Sequence, residues 1–144
     1  MPLVIRLAPY RSPDYRAAVD LRRAVLRRPL GLDFTAEQLA AESGDTHFAA
    51  FDDGALVGAV VMTPCDATTV KLRQMAVSPA ARGRGIGAAL LRAFEAHARG
   101  NGMAAVTLAA RLTARAFYER NGYAAEGEVF EEVTIPHIRM TRRL

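Results

Sequence analysis

Met75-Ala-Val-Ser-Pro-Ala-Ala-Arg-Gly-Arg-Gly-Ile-Gly87 is the stretch on which the reading of this chain turns. Apolar residues run to Val77, Pro79 breaks them, and glycines stand at the alternate positions 83, 85 and 87. Beyond them Ile86, Ala89, Leu90, Ala93, Phe94 and His97 trace one apolar face, which predicts a helix over Gly85 to Gly100. The first-turn N–H groups of a helix have no intrahelical acceptor, and the macrodipole is positive there. No Ser, Thr, Asp or Asn stands at this start to satisfy them. A phosphate does so where glycines let it approach, and Arg82 and Arg84 add charge.

Working outward, Thr68 to Val77 reads as a strand whose alternation breaks. Leu72, Met75 and Val77 are its inward candidates, yet Leu72 and Met75 lie three apart. Either a β-bulge near Arg73-Gln74 reconciles them, or Leu72 faces a second core across the sheet. Downstream, Ala104 to Ala109 reads as a buried strand, and Thr113 to Arg120 as a helix ended by Asn121-Gly122. Tyr123 to Glu128 and Pro136 to Arg142 read as closing strands. Upstream, Leu3 to Ala8 is a strand and Pro13 to Arg28 a helix with Ala17, Leu21, Ala24, Val25 and Arg28 at helical spacing. Thr35 and Gln38 open a short helix as a capping box. Thr46 to Phe51 and Ala55 to Met62 form a hairpin through Asp52-Asp-Gly54. The expectation is a single α/β (α+β) domain over residues 1–144, one mixed sheet covered by helices.

Composition bounds the function. At 144 residues, 51% hydrophobic and 24% charged, the chain has the size and make-up of one globular domain, which excludes a cofactor domain joined to a substrate domain. A net charge of +4, with Lys71 the only lysine, suits an anionic ligand but is too small to imply nucleic acid. Cys65 stands alone, so no intramolecular disulfide forms. Apolar runs fall short of the ~18 residues of a membrane helix, and Met1 to Arg6 lacks the basic start and long apolar stretch of a signal peptide, so none is expected. The expectation is a cytoplasmic protein with neither membrane nor nucleic-acid partner. His47 and His97 lie far apart and no Cys/His spacing suggests a metal. His97 is read as core, Cys65 as a small buried residue, and the Arg22-Arg23 and Arg27-Arg28 pairs as a solvated helix face. No Gly-x-Ser-x-Gly elbow is present.

Several anion sites share the glycine logic. Gly83-x-Gly85-x-x-Ala88 matches a dinucleotide fingerprint, but the acid expected about 20 residues on is missing, where the chain reads Leu108-Ala-Ala-Arg111. No Gly-Lys-Ser/Thr follows, which excludes a P-loop. A glycine-rich turn that holds nothing stays open on these residues alone.

The whole stretch resembles the GNAT superfamily of acyl-CoA-dependent N-acetyltransferases. Arg82-Gly-Arg-Gly85-Ile-Gly87 is similar to that family's Arg/Gln-x-x-Gly-x-Gly/Ala loop, Met75-Ala-Val77-Ser-Pro79 to the strand end before it, and Ala116-Phe-Tyr118-Glu-Arg-Asn-Gly122-Tyr123 to its later helix end. Ile135-Pro-His137-Ile-Arg-Met140 is similar to a small bacterial single-domain branch. The resemblance implies a mostly antiparallel sheet with splayed central strands. It implies acetyl-CoA as cosubstrate, its pantetheine arm along Met75, Ala76 and Val77. Its pyrophosphate would lie on Arg82, Gly83, Arg84, Gly85, Ile86, Gly87 and Ala88, and a strand N–H near Met75 would polarise the thioester carbonyl. Tyr118 matches the tyrosine near the CoA sulfur and is the candidate acid.

Direct attack by a primary amine on the thioester poses two proton problems. Presenting an amine of pKa about 10.4 as the free base at pH 7 costs ~4–5 kcal/mol, so a base is needed. The departing thiol, pKa about 8.5, needs less help. Many relatives carry Glu on the strand before the loop, and this chain has Arg73 and Gln74 there. Glu131, Glu132, His137 or water stay open as the base, and Glu131-Glu132 also reads as a solvated turn. The implied acceptor is a small-molecule amine or a peptide N-terminus, with a homodimer through the terminal strands as an expectation. The competing functions are an acyl-CoA sensor with little catalysis and a nucleotide-binding domain unrelated to CoA.

Overall fold

Asp53-Gly54 turns the chain with φ of +50° and +83°, the two left-handed residues of a type I′ hairpin. It joins β2 (Thr46–Asp52) to β3 (Ala55–Pro64), which pair antiparallel with Thr46 opposite Met62. The structure, a computed structural model, describes Leu3–Leu144. Its other strands are β1 (Leu3–Leu7), β4 (Thr69–Val77), β5 (Ala105–Arg111), β6 (Ala124–Glu132) and β7 (Ile135–Arg143). Its α-helices are α1 (Pro13–Arg22), α2 (Ala36–Ala40), α3 (Ile86–Gly100) and α4 (Arg115–Arg120). The strands hydrogen bond in the order β1-β2-β3-β4-β5-β7-β6. The β4–β5 pair is parallel, whereas β1–β2, β2–β3, β5–β7 and β6–β7 are antiparallel. This is the mixed, mostly antiparallel sheet flanked by helices that the sequence led us to expect. The described residues pack as two units interleaved along the chain: residues up to Thr63 with Gln74–Phe94, and Pro64–Arg73 with Glu95–Leu144.

In the first unit Ser12 caps α1 by accepting from Tyr15 N, and Pro13 supplies a preset φ at its first position. Tyr15, Ala18, Val19 and Arg22 are its buried face; Tyr15 and Val19 join Ala8, Ala49 and Phe51 in one cluster. Two expectations fail here. The α-helix ends at Arg22 and passes into a π turn, Arg23–Arg27, rather than running to Arg28. Arg22 is not solvated: it is 1% exposed and forks onto Glu42, Nη1 reaching Oε1 at 3.0 Å and Nη2 reaching Oε2. Tyr15 Oη donates to the same Oε1 at 2.9 Å, and the Glu42 carbonyl contacts His47 Nε2 at 3.0 Å. A carboxylate that forks onto a buried guanidinium in this way offsets the cost of taking it out of water.

In the second unit Asp66 Oδ1 accepts from Thr68 N and Thr69 N, both at 2.8 Å, which starts β4. β4 and β5 then pair from Thr69 opposite Ala105 to Leu72 opposite Leu108. Cys65, beside that turn, is exposed rather than buried. β6 runs past the expected end at Glu128, so Glu131 and Glu132 are strand residues and Val133-Thr134 is the turn. On α3, Ile86, Leu90 and Phe94 are buried as expected, but Glu95 is fully buried as well, while His97, expected in the core, is only half-buried. Arg142 Nη1 donates to Glu95 Oε1 at 3.1 Å and to Asn121 O at 3.0 Å, and Tyr123 Oη donates to Glu95 Oε2 at 2.8 Å. Among the described residues no helix is long and apolar enough to cross a membrane.

Candidate active site

The glycine-rich stretch closes the first unit. In β4 the buried residues Val70, Leu72 and Ala76 keep an even period, and Met75 and Val77 are half-buried. The pattern that suggested a bulge is therefore absent. The distortion is nevertheless there, because Gln74 takes φ +57° inside the strand. A side-chain-bearing residue in that region is uncommon and is held there by its surroundings. Gln74 Oε1 is buried with no hydrogen-bond partner.

After Val77, Ser78 N donates to Val57 O at 2.8 Å and Ala81 N to Ser78 O at 2.9 Å, so the loop is pinned to β3 before it turns outward. Arg82 to Gly85 are exposed, and Gly83 and Gly85 take φ of +79° and +77°. The Gly85 carbonyl accepts from Ala89 N at 3.0 Å, which makes Gly85 the N-cap of α3. A glycine cap has no side chain to offer the next N–H groups, those of Gly87 and Ala88. A Cβ built on Gly83 or Gly85 meets no heavy atom within 4 Å. The space beside both is open, and the donors that border it suit a diphosphate.

The two loop arginines differ. Arg82 is exposed, whereas Arg84 Nη2 donates to Asp52 Oδ2 at 2.7 Å. Asp52 is nearly buried at the start of the hairpin turn, so the pair ties the loop to β2. Sequence reasoning missed Asp52 because its partner is 32 residues away. It also missed Gly58 on β3, where an added Cβ would lie 2.7 Å from Leu90 Cδ1 and 3.2 Å from Ile86 Cγ2. The absence of a side chain there lets the first two turns of α3 sit close on the strand.

Tyr118 lies in the second unit, on α4, 6% exposed, with ring centroids of Phe117 and Tyr123 at 5.0 and 5.8 Å. Its hydroxyl makes no hydrogen bond among the described residues, and burial pushes the phenol well above its ordinary range, so it keeps its proton. Of the base candidates, Glu131 is exposed and opposite Pro136. His137 is buried, with Nδ1 2.7 Å from Ile135 O and Nε2 3.7 Å from Glu132 Oε2. Among the described residues no three His, Cys, Asp or Glu gather as a metal site would require.

The chain belongs to the acetyltransferase (GNAT) domain family, which matches residues 30–144. A Bacillus subtilis protein named for acetyltransferase activity is 28% identical over 133 residues, 90% of each chain. A Lactobacillus plantarum structure named for N-acetyltransferase activity superposes with a TM-score of 0.86 at 24% identity, over 100% of this chain and 99% of that one. A GNAT family acetyltransferase from Elizabethkingia anophelis, solved with acetyl-CoA bound, gives 0.76 at 18% identity over 99% and 98%.

Proposed function

We propose that this protein transfers an acetyl group from acetyl-CoA to a primary amine, a small molecule or a peptide N-terminus, by direct attack. The observation that carries the reading is the start of α3: Gly83 and Gly85 in left-handed conformations, a cap without a side chain, and open space where their Cβ atoms would be. In this reading the N–H groups from Gly83 to Ala88, with Arg82 and Arg84 beside them, hold the pyrophosphate. Met75, Ala76 and Val77 receive the pantetheine arm. In this reading the Met75 N–H, next to the left-handed Gln74, polarises the thioester carbonyl. Bound acetyl-CoA supplies an activated acetyl group.

Tyr118 acts as the donor to the leaving sulfur. Its raised pKa means that it hydrogen bonds to the thiolate rather than handing over its proton fully. Such a bond to a charged group is worth about 1.5–3 kcal/mol, so Tyr118→Phe lowers kcat ~10- to 100-fold with the acetyl-CoA Kd unchanged. Turnover equal to wild type removes Tyr118 from the reaction.

Binding is tested by thermal shift with acetyl-CoA, NAD(P) and ATP. At 100 times Kd a ligand adds about 2.7 kcal/mol, or roughly 5–10 °C for a chain of this size. A shift with ATP or NAD(P) and none with acetyl-CoA overturns the reading. A shift with acetyl-CoA but no thiol release across a panel of amines leaves an acyl-CoA sensor.

A further inference from the structure

Resting on the acetyltransferase reading above, we infer that the His137 imidazole, backed by Glu132, is the base that takes the proton from the acceptor amine. The tautomer is fixed by chemistry. Nδ1 lies 2.7 Å from the Ile135 carbonyl oxygen, which can only accept, so Nδ1 carries the hydrogen and the neutral ring keeps its lone pair on Nε2. Among the described residues no hydrogen bond reaches Nε2. Glu132 Oε2 stands 3.7 Å from it, beyond hydrogen-bond length but within ion-pair range once the ring is protonated. A proton arriving at Nε2 therefore meets a carboxylate placed for a charge-assisted contact. The pair is thus set to receive one proton, and the half-exposed Glu132 side chain offers it a way out to water.

The ring is held for this task. It stacks on Phe130 with centroids 6.1 Å apart and planes 28° apart, and the bond to Ile135 stops it from turning. His137 is in register with Arg111, the last residue of β5, three residues beyond the pair Leu72–Leu108. Ligands in α/β sheets gather beyond the carboxyl ends of parallel strands, and α4, which carries Tyr118, leaves from that same end of β5. The charged residues nearest the ring are Glu132, Arg111 opposite it in register on β5, and Arg139, two residues along β7, which faces Glu126 across the strands. Glu131 is next to Glu132 in a strand and so projects from the other face.

In the reaction the amine nitrogen bonds to the acetyl carbon and becomes ammonium-like. Nε2 takes the proton, the carbon–sulfur bond breaks, and the thiolate leaves with its electron pair, hydrogen bonded by Tyr118 and protonated from solvent. The products are the acetamide and free CoA thiol, and the proton on His137 passes by Glu132 to water.

The test is kcat and KM against pH for wild type, His137→Gln and Glu132→Gln, each first shown to be folded. His137→Gln loses about 100-fold or more in kcat, the scale of a general base, with KM for acetyl-CoA unchanged. The acid limb of its kcat profile disappears, and imidazole added to His137→Ala restores turnover. Glu132→Gln lowers kcat several-fold and moves that limb. A folded His137→Gln with wild-type kcat, or one that loses only KM, overturns the assignment while leaving acetyl transfer intact. A wild type that acetylates no amine overturns the acetyltransferase reading first. Nitrogen NMR of the wild-type histidines needs no variant: a hydrogen on Nε2 of neutral His137 overturns the assignment, and one on Nδ1 supports it.

Discussion

Gly58→Ala adds one methyl group far from any reacting atom, and it should weaken acetyl-CoA binding. The new Cβ would stand 2.7 Å from Leu90 Cδ1 and 3.2 Å from Ile86 Cγ2, where ordinary contact begins at 3.4 Å. Neither neighbour can swing into water, since Leu90 is 0% and Ile86 2% exposed. The Ala50 Cβ, opposite Gly58 in register, would be 3.5 Å away and leaves no room for a sideways shift. Relief therefore comes from α3 moving off the strand, by on the order of half an ångström at its first two turns. Overpacking of this kind costs about 1–3 kcal/mol, which lowers Tm by roughly 3–10 °C. Ile86 is the first residue of α3, so the N–H groups assigned to the pyrophosphate move with it. Weakening one charge-assisted bond, at about 1.5–3 kcal/mol, raises the acetyl-CoA Kd by ~10- to 100-fold. Calorimetric titration with acetyl-CoA and a urea melt measure the two effects. Gly44→Ala is the control: its Cβ meets nothing within 4 Å. A Gly58→Ala protein that is destabilised yet binds acetyl-CoA as tightly as wild type would show that the helix start does not hold the cosubstrate.

Two further outcomes follow from buried polar groups. Glu42→Gln removes the carboxylate from an Arg22 that is 1% exposed and whose Nε is already without a partner. Stranding that charge costs about 3–5 kcal/mol, or on the order of 10 °C in Tm, and a melt within about 2 °C of wild type refutes the account. At alkaline pH the sign is set by three raised phenols. Burial is the main cause at Tyr15, Tyr118 and Tyr123, with Glu42 adding to it at Tyr15 and Glu95 at Tyr123. The native state keeps these protons where the unfolded chain releases them, from about pH 10 upward. The unfolded state then binds fewer protons, so stability is intact below about pH 10 and falls as pH rises further. Phenolate absorbance read beside the near-UV circular dichroism checks this. Ionisation of all four tyrosines in a protein that stays folded contradicts it.

What could be read in the sequence was what short segments decide for themselves. Asp53-Gly54 can hardly be anything but a tight hairpin, and alternate glycines before an apolar helical run announce an open helix start. Long-range pairing was hidden. Arg22 occupies a buried position of the Tyr15, Ala18, Val19 face, and a charged residue there is discounted until Glu42, 20 residues on, is seen to meet it. The burial of Glu95 went unforeseen for the same reason, since Arg142 lies 47 residues away. The end of β6 was missed on different grounds. Val133-Thr134 lacks the Asn-Gly or Asp-Gly chemistry that marks a two-residue turn, so nothing local told of the register Glu132 opposite Ile135. In β4 the assumption that large residues point inward selected Met75 and Val77, whereas the small Ala76 is the one buried.

That turn also bears on chemistry. Val133 and Thr134 take φ of +46° and +63°, and for β-branched residues such angles are strained. Strain of this kind persists only where the surroundings hold it. Among the described non-glycine residues, left-handed φ values occur at five positions: Arg11, Asp53, Gln74, Val133 and Thr134. Asp53 belongs to an ordinary hairpin turn. Gln74 immediately precedes the residues assigned to the pantetheine arm. Val133 and Thr134 join Glu132 to Ile135, and those two residues supply the carboxylate and the carbonyl that flank the His137 ring. A flexible Asn-Gly turn would close the same hairpin with less strain. The two β-branched residues instead narrow the backbone choices between Glu132 and Ile135, which pair across the turn in register. Arg11 lies in the turn between β1 and α1 and belongs to neither proposed site. At Gln74 and at Val133-Thr134, however, the local conformational cost falls on peptides next to the proposed sites of bond making and proton transfer, which argues that these are positioned for function.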